Sequence, residues 1–216
     1  MATDGGMEMG RTRRSSAVVR DAVLAAAREV FTERGFAGAR TREIAARADV
    51  TEKVMFRHFP SKVDLFQAAV FEPFQQFVDA FLAEFDQRVA RGLSAEQLAG
   101  DYVRMLFDFL TEHRSDVLSL LAAYAHDPEV LAVGEGPGPL DRLLDELAAA
   151  VVVGLEETGL KPPNPRHVVR LTFGMVLSAT VSNPLLFGDD GTGPEELVEE
   201  LTQYVIGGVL RRDRPG

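Results

Sequence analysis

"DVTEKVMFRHFPSK", residues 49–62, sets Val50, Val54, Met55, Phe56 and Phe59 among Lys53, Arg57, His58 and Lys62. Apolar bulk at that density belongs in a core, and cations at that density belong at a surface. Helical spacing reconciles the two. Met55 and Phe59 are four apart and share one side, while Lys53 and Arg57 form a second pair and Glu52 and Phe56 a third. Thr51 is placed to cap the helix, Pro60 ends it, and Ser61 caps the next. The segment reads as a very short helix, anchored through Val50, Met55 and Phe59 against Val23, Val30, Phe31 and Ile44. Its cationic flank is left facing outward.

Upstream, Ala17–Arg34 carries Val19, Val23, Ala26, Ala27, Val30 and Phe31 at the 3.6-residue period of an amphipathic helix. Gly35 is the expected stop, and Phe36 is placed to fold back on the helix end. "TREIAARA", residues 41–48, predicts a second short helix with Thr41 as its N-cap, and Asp49 follows as a turn residue. Three helices in about 45 residues, the last two joined by a tight turn, make a helix-turn-helix. An outward-facing helix of that kind fits the roughly 12 Å major groove of B-DNA. Residues 1–16 are polar and Gly-rich, read as a disordered arm, and contain Arg11, Arg13 and Arg14. The arm either enters a minor groove or serves as a solubilising tail.

The chain has 216 residues, of which 46% are hydrophobic, enough for a sizeable core. A net charge of −10 taken alone argues against a nucleic-acid partner, but its distribution is uneven. Residues 1–62 carry 12 Lys/Arg against 8 Asp/Glu, a net of +4; residues 63–216 carry 11 against 25, a net of −14. A basic working end on an acidic body is the pattern, and the local field matters more to a polyanion than the total. The absence of cysteine excludes disulfides and thiolate metal sites. No apolar run approaches the roughly 20 residues of a membrane span, and the start lacks an apolar leader core, so a cytoplasmic protein with no membrane partner is expected.

Beyond Lys62 every segment reads as helix, giving an all-α chain. Pro73 predicts a kink in the first long helix. Further helices are expected from Ser94 to about His113, over the "SDVLSLLAAYAHDPEV" stretch and over Leu140–Gly159. Two more are expected at about 165–184, with Asn164 as N-cap and Pro165 at the first position, and at about 194–212. "GEGPGP" (134–139) and "FGDDGTG" (187–193) read as loops. The domain division follows: an arm (1–16), a helix-turn-helix unit (17–62) and a helical body (63–216).

Residues 23–66, "VLAAAREVFTERGFAGARTREIAARADVTEKVMFRHFPSKVDLF", resemble the tetracycline-repressor (TetR) family of bacterial transcriptional regulators. The ordered markers are Val23, Ala26–Ala27, Val30–Phe31, Gly35–Phe36, Thr41, Ile44–Ala45, Val50–Thr51, His58–Phe59 and Lys62–Leu65; the Leu/Phe-rich helix with "FEPF" looks like an actinobacterial branch. The resemblance implies a homodimer that reads a pseudo-palindromic operator in double-stranded DNA, with a C-terminal domain for dimerisation and for a small-molecule effector that releases repression. It places Thr41 and Arg42 near phosphate, and Thr51, Lys53, Val54, Phe56, Arg57 and His58 on or beside the recognition helix. Lys62 matches the family's phosphate-contacting lysine. Three positions depart from the pattern: Lys53 stands where a small residue is usual, Phe56 where a Tyr is usual, and Asp49 where the turn commonly has Gly.

No phosphate-binding loop, dinucleotide fingerprint or nucleophile elbow occurs, so no catalytic residue and no cofactor is expected. His126 with Asp127 and Glu129 is a metal set on paper and a helix end with a Pro turn more simply; no metal is expected. Tyr102, Met105, Tyr124, Arg170 and Met175 are the residues picked for an effector pocket among apolar helices, against core packing as the alternative. Gly174, Ser178 and Ser182, with the stripe Leu197, Leu201, Val205 and Val209, are either a subunit seam or intramolecular core. A rival reading keeps the helical body as a ligand-binding or enzymatic domain whose N-terminal bundle no longer reads DNA.

Overall fold

Polar residues placed just ahead of apolar runs start the helices here. In a computed structural model, which describes residues 14–126, 138–158, 164–188 and 191–210, Ser15 accepts from the Val18 N–H and Thr51 from the Val54 N–H. Ser61 accepts from Asp64, and Ser94 forms a reciprocal capping box with Gln97. Asn164 accepts from His167 at 3.1 Å, with Pro165 as the first helical residue. Each cap satisfies an N–H that the helix itself cannot.

The described residues form α1 (Ser16–Gly38), α2 (Thr41–Arg47), α3 (Glu52–His58), α4 (Lys62–Ala90), α5 (Ala95–Glu112), α6 (Arg114–His126), α7 (Pro139–Glu157), α8 (Pro165–Val181), α9 (Asn183–Leu186) and α10 (Pro194–Leu210). No strand occurs among them. The chain is all-α. The N-terminal arm through Arg13, Asp127–Glu129, most of the 134–139 loop, Gly159, Asp189 and Asp190 lie outside the described residues.

Gly35 breaks α1 as expected, with φ 67°, but a further turn continues to Gly38. That turn brings Phe36 back onto Phe66 (ring centroids 5.0 Å apart), while Phe31 meets Phe66 edge-on at 4.9 Å. This aromatic cluster belongs to α1, the turn after it and α4, so the helix-turn-helix unit and the body share one continuous core.

Pro73 lies inside α4, and the helix runs on through it. Proline has no N–H, which leaves the Ala69 carbonyl without its helical donor. Arg28 of α1 supplies one: its Nε donates to that carbonyl at 3.0 Å. Arg28 and Arg20 also both reach Glu72, at 3.3 and 3.2 Å. The proline position is thus held by a cation from the neighbouring unit.

In the body, α4 packs on α7, α7 on α8, and α5 on α8 and α10. Leu197 and Val205 are buried and Leu201 is half-buried, so this stripe of α10 is spent inside the chain. The outward face of α10 is instead that of Tyr204, 71% exposed, with Gly208 one turn on. On α8, Gly174 and Ser178 are exposed beside Leu171, which is 61% exposed.

Candidate nucleic-acid interface

The α3 helix has two faces. Met55 and Phe59 are 0% and 4% exposed and join the core; Lys53, Phe56 and Arg57 are exposed, and Val54 and His58 are half-buried. Seven residues are too few for a helix to persist by propensity alone, so the two apolar anchors and the Thr51 cap hold it. The preceding turn is made at Asp49, whose φ of 54° lies in the left-handed region that Asp tolerates better than most residues. Arg14 donates to the Asp49 carboxylate at 3.1 Å and tethers the described start of the chain to this turn.

Thr41 does not cap α2; the N-cap is Arg40, which makes no side-chain cap bond. Thr41 lies one residue inside the helix instead, and its hydroxyl donates to Glu52 at 2.6 Å. That bond brings the N-terminal ends of α2 and α3 side by side.

The cations of this unit divide into two groups. Arg14, Arg20, Arg28, Arg34 and Arg47 each meet a carboxylate. Arg47 is the most heavily engaged, bidentate on Glu33 at 2.7 and 2.6 Å and also on Glu43 at 3.0 Å, which ties α2 to α1. The Arg47 hydrogen bond holds the Glu33 carboxyl below the ordinary carboxylate value. Lys62 lies over the Phe36 ring at 4.7 Å, and burial lowers its pKa. Arg40, Arg42, Lys53 and Arg57 remain exposed with no ion pair among the described residues. All four flank the joined ends of α2 and α3 or lie along α3. Arg40 was not singled out from sequence; its place beside Arg42 at a helix start was the available signal.

A second feature lies in the body. A cavity of about 50 Å³ opens between the C-terminal part of α4, the start of α5, the end of α7, α8 and α10, with Phe85, Leu98, Val151, Leu155 and Val169 among its walls. Tyr102 lines it too, and its hydroxyl is buried with no hydrogen-bond partner among the described residues. Burial raises the phenol pKa well above its ordinary value, so the group stays neutral. Met105, Tyr124, Arg170 and Met175 do not line this cavity. Tyr124 is 50% exposed, and Met105 and Met175 are half-buried at the core margin. Arg170 donates to Asp145 at 2.8 Å and to Asp141 at 3.0 Å, clamping α8 to α7. Hydrogen bonds from Arg170 and then Arg166 hold the Asp145 carboxyl below its ordinary value.

Comparison with known proteins meets this geometry at the same residues. The family model described as "Bacterial regulatory proteins, tetR family" matches residues 23–69. The stretch that carries the helix-turn-helix unit thus matches the TetR family. One relative, the HTH-type transcriptional activator FasR of Mycolicibacterium smegmatis, is 34% identical over 57% of this chain, and the match spans 57% of that activator's length. Another, the HTH-type transcriptional regulator RutR of Escherichia coli, is 26% identical over 94% of this chain and 96% of its own. Among solved structures, a TetR-family transcriptional regulator from Mesorhizobium loti superposes with a TM-score of 0.70 at 21% identity, covering 92% of this chain and 98% of that one. Overlap of nearly the whole chain at such low identity marks a shared fold. No helix among the described residues is long and apolar enough to cross a membrane.

Proposed function

We propose that this chain is a TetR-family regulator that works in the cytoplasm as a homodimer, reading a pseudo-palindromic operator and repressing transcription until a small molecule occupies its body. In this reading residues 17–62 are the DNA reader and residues 63–216 carry the effector site and the subunit seam. The observation that carries it is the sorting of cations: Arg14, Arg20, Arg28, Arg34 and Arg47 meet carboxylates, and Arg40, Arg42, Lys53 and Arg57 have no ion pair among the described residues and surround a helix anchored by Met55 and Phe59.

Each free cation has a use on duplex DNA. Arg40 and Arg42, at the start of α2, supply phosphate contacts, which position the protein and make affinity salt-dependent. Lys53 and Arg57 lie along α3 and reach base edges in the major groove, with Arg57 suited to a bidentate contact on guanine. Phe56, 37% exposed, offers an apolar surface for a thymine methyl. Two copies joined through the exposed α8–α10 face would set two α3 helices into successive major grooves, about 34 Å apart. An effector in the body acts only by binding the DNA-competent and DNA-incompetent arrangements unequally.

Selection of bound duplexes from a random pool tests the reading. The full-length protein is expected to enrich an inverted repeat with half-sites about one helical turn apart. Enrichment of no motif would remove the reader.

A further inference from the structure

We infer that the body cavity takes a slim, mostly apolar, uncharged molecule bearing one hydrogen-bonding oxygen, such as a ketone or an alcohol, received by the Tyr102 hydroxyl. The inference rests on the effector reading above and names the chemical class of that effector.

Four observations lead there. Tyr102 lines a cavity whose walls are overwhelmingly apolar, and its hydroxyl is buried without a partner among the described residues. Buried polar groups are nearly always satisfied, so an orphan hydroxyl on a residue of the cavity wall is a candidate point for a ligand atom. Among the described residues, besides Tyr102 only Thr172 and Glu96 contribute polar side chains to the lining, and Glu96 is exposed. Second, no Lys, Arg or His among the described residues lines the cavity. An anionic head would be desolvated with no counter-charge, and an ammonium would have only the exposed Glu96 carboxylate as a partner, which offsets little of its desolvation.

Third, the cavity of about 50 Å³ has room on the order of four waters, which fits a short chain rather than a fused ring system. Fourth, Gly154 decides how much room there is. A Cβ at Gly154 would lie 2.4 and 2.5 Å from ring atoms of Phe85, itself a wall of the cavity. Any side chain there must push that ring, and the cavity is the free space beside it. Tyr102 is the polar recognition point and Gly154 a size determinant.

The test uses the full-length protein with three probes of one chain length, 2-hexanone, hexanoate and hexylamine, followed by calorimetry and thermal unfolding. The ketone should bind and raise the unfolding midpoint, with hexanoate and hexylamine at least about tenfold weaker. Tyr102→Phe should unfold no earlier than wild type, since it removes an unsatisfied group, yet bind the ketone roughly three- to tenfold more weakly. Gly154→Ala should also weaken it. Absence of ketone binding, equal ketone affinity in Tyr102→Phe, or a charged probe binding as tightly as the ketone would each overturn the inference. Release of a selected DNA duplex is read in a separate titration. Ligand binding without release counts against the effector reading alone, and release without dependence on Tyr102 counts against this site alone.

Discussion

The reader and the body leave different kinds of capacity unspent. In the reader, polar groups consume one another: Thr41 takes Glu52, Arg47 takes Glu33 and Glu43, and Arg28 and Arg20 share Glu72. What remains is positive charge at Arg40, Arg42, Lys53 and Arg57. In the body the ion pairs close between its own helices, as Arg170 does on Asp141 and Asp145 and Arg104 on Glu195. What remains there is apolar: a cavity wall around Tyr102, and the exposed Leu171 and Tyr204. The residue of unspent charge points to a polyanion, and the residue of unspent apolar surface points to a small molecule and a second subunit.

The contrast is broken most severely at the reader's anchor. Met55→Ala removes a side chain that is 0% exposed, and should cost ~2–5 kcal/mol in urea unfolding, with DNA binding lost because α3 loses its support. Retained DNA affinity would mean that α3 does not depend on that anchor.

A smaller loss is expected where the two regions meet. Arg28→Ala takes away the donor to the Ala69 carbonyl opposite Pro73, and an unsatisfied backbone carbonyl costs about 1–3 kcal/mol. Arg28→Lys should keep attraction to Glu72 but not the planar fork that serves both partners, so it should recover only part of the loss. Full recovery would reduce Arg28 to a surface charge.

The smallest effect belongs to the body's surface clamp. The folded-state pKa of Asp145 is depressed by Arg170 and Arg166, so its contribution is present above the ordinary carboxylate value and vanishes as pH falls through the lowered one. Asp145→Asn should therefore unfold slightly earlier than wild type at neutral pH, and the two midpoints should converge in acid. Thermal unfolding between about pH 2 and 7 measures this, and a gap that widened in acid would reverse the sign.

Local chemistry was readable from sequence in both regions. Thr51, Ser61, Ser94 and Asn164 cap within three residues of themselves, and Asp49 makes its turn with its own backbone. The 3.6-residue period separates Met55 and Phe59 from Lys53 and Arg57 without any tertiary information. Sequence reading stops where a partner is distant along the chain. Thr41 turns to Glu52, Arg28 to Ala69, and Arg170 to Asp141 and Asp145, none of which a local pattern encodes. The stripe Leu197–Leu201–Val205 has the same period whether it meets α5 or a second subunit, and packing sends it inward. Tyr102 lines the cavity while Tyr124 is exposed, and aromatic composition alone does not separate them. Arg40 stood out only once its neighbours' pairings were known.

The most direct measurement compares the free and the spent cations on one selected duplex, with affinity and thermal unfolding read together for Lys53→Ala/Arg57→Ala and for Arg47→Ala. The free pair should lose at least about tenfold in affinity with an unchanged unfolding midpoint, and Arg47→Ala should show the larger loss of stability. Wild-type affinity in the Lys53/Arg57 double variant, or a lowered midpoint that accounts for its loss, would contradict the assignment of these side chains to DNA.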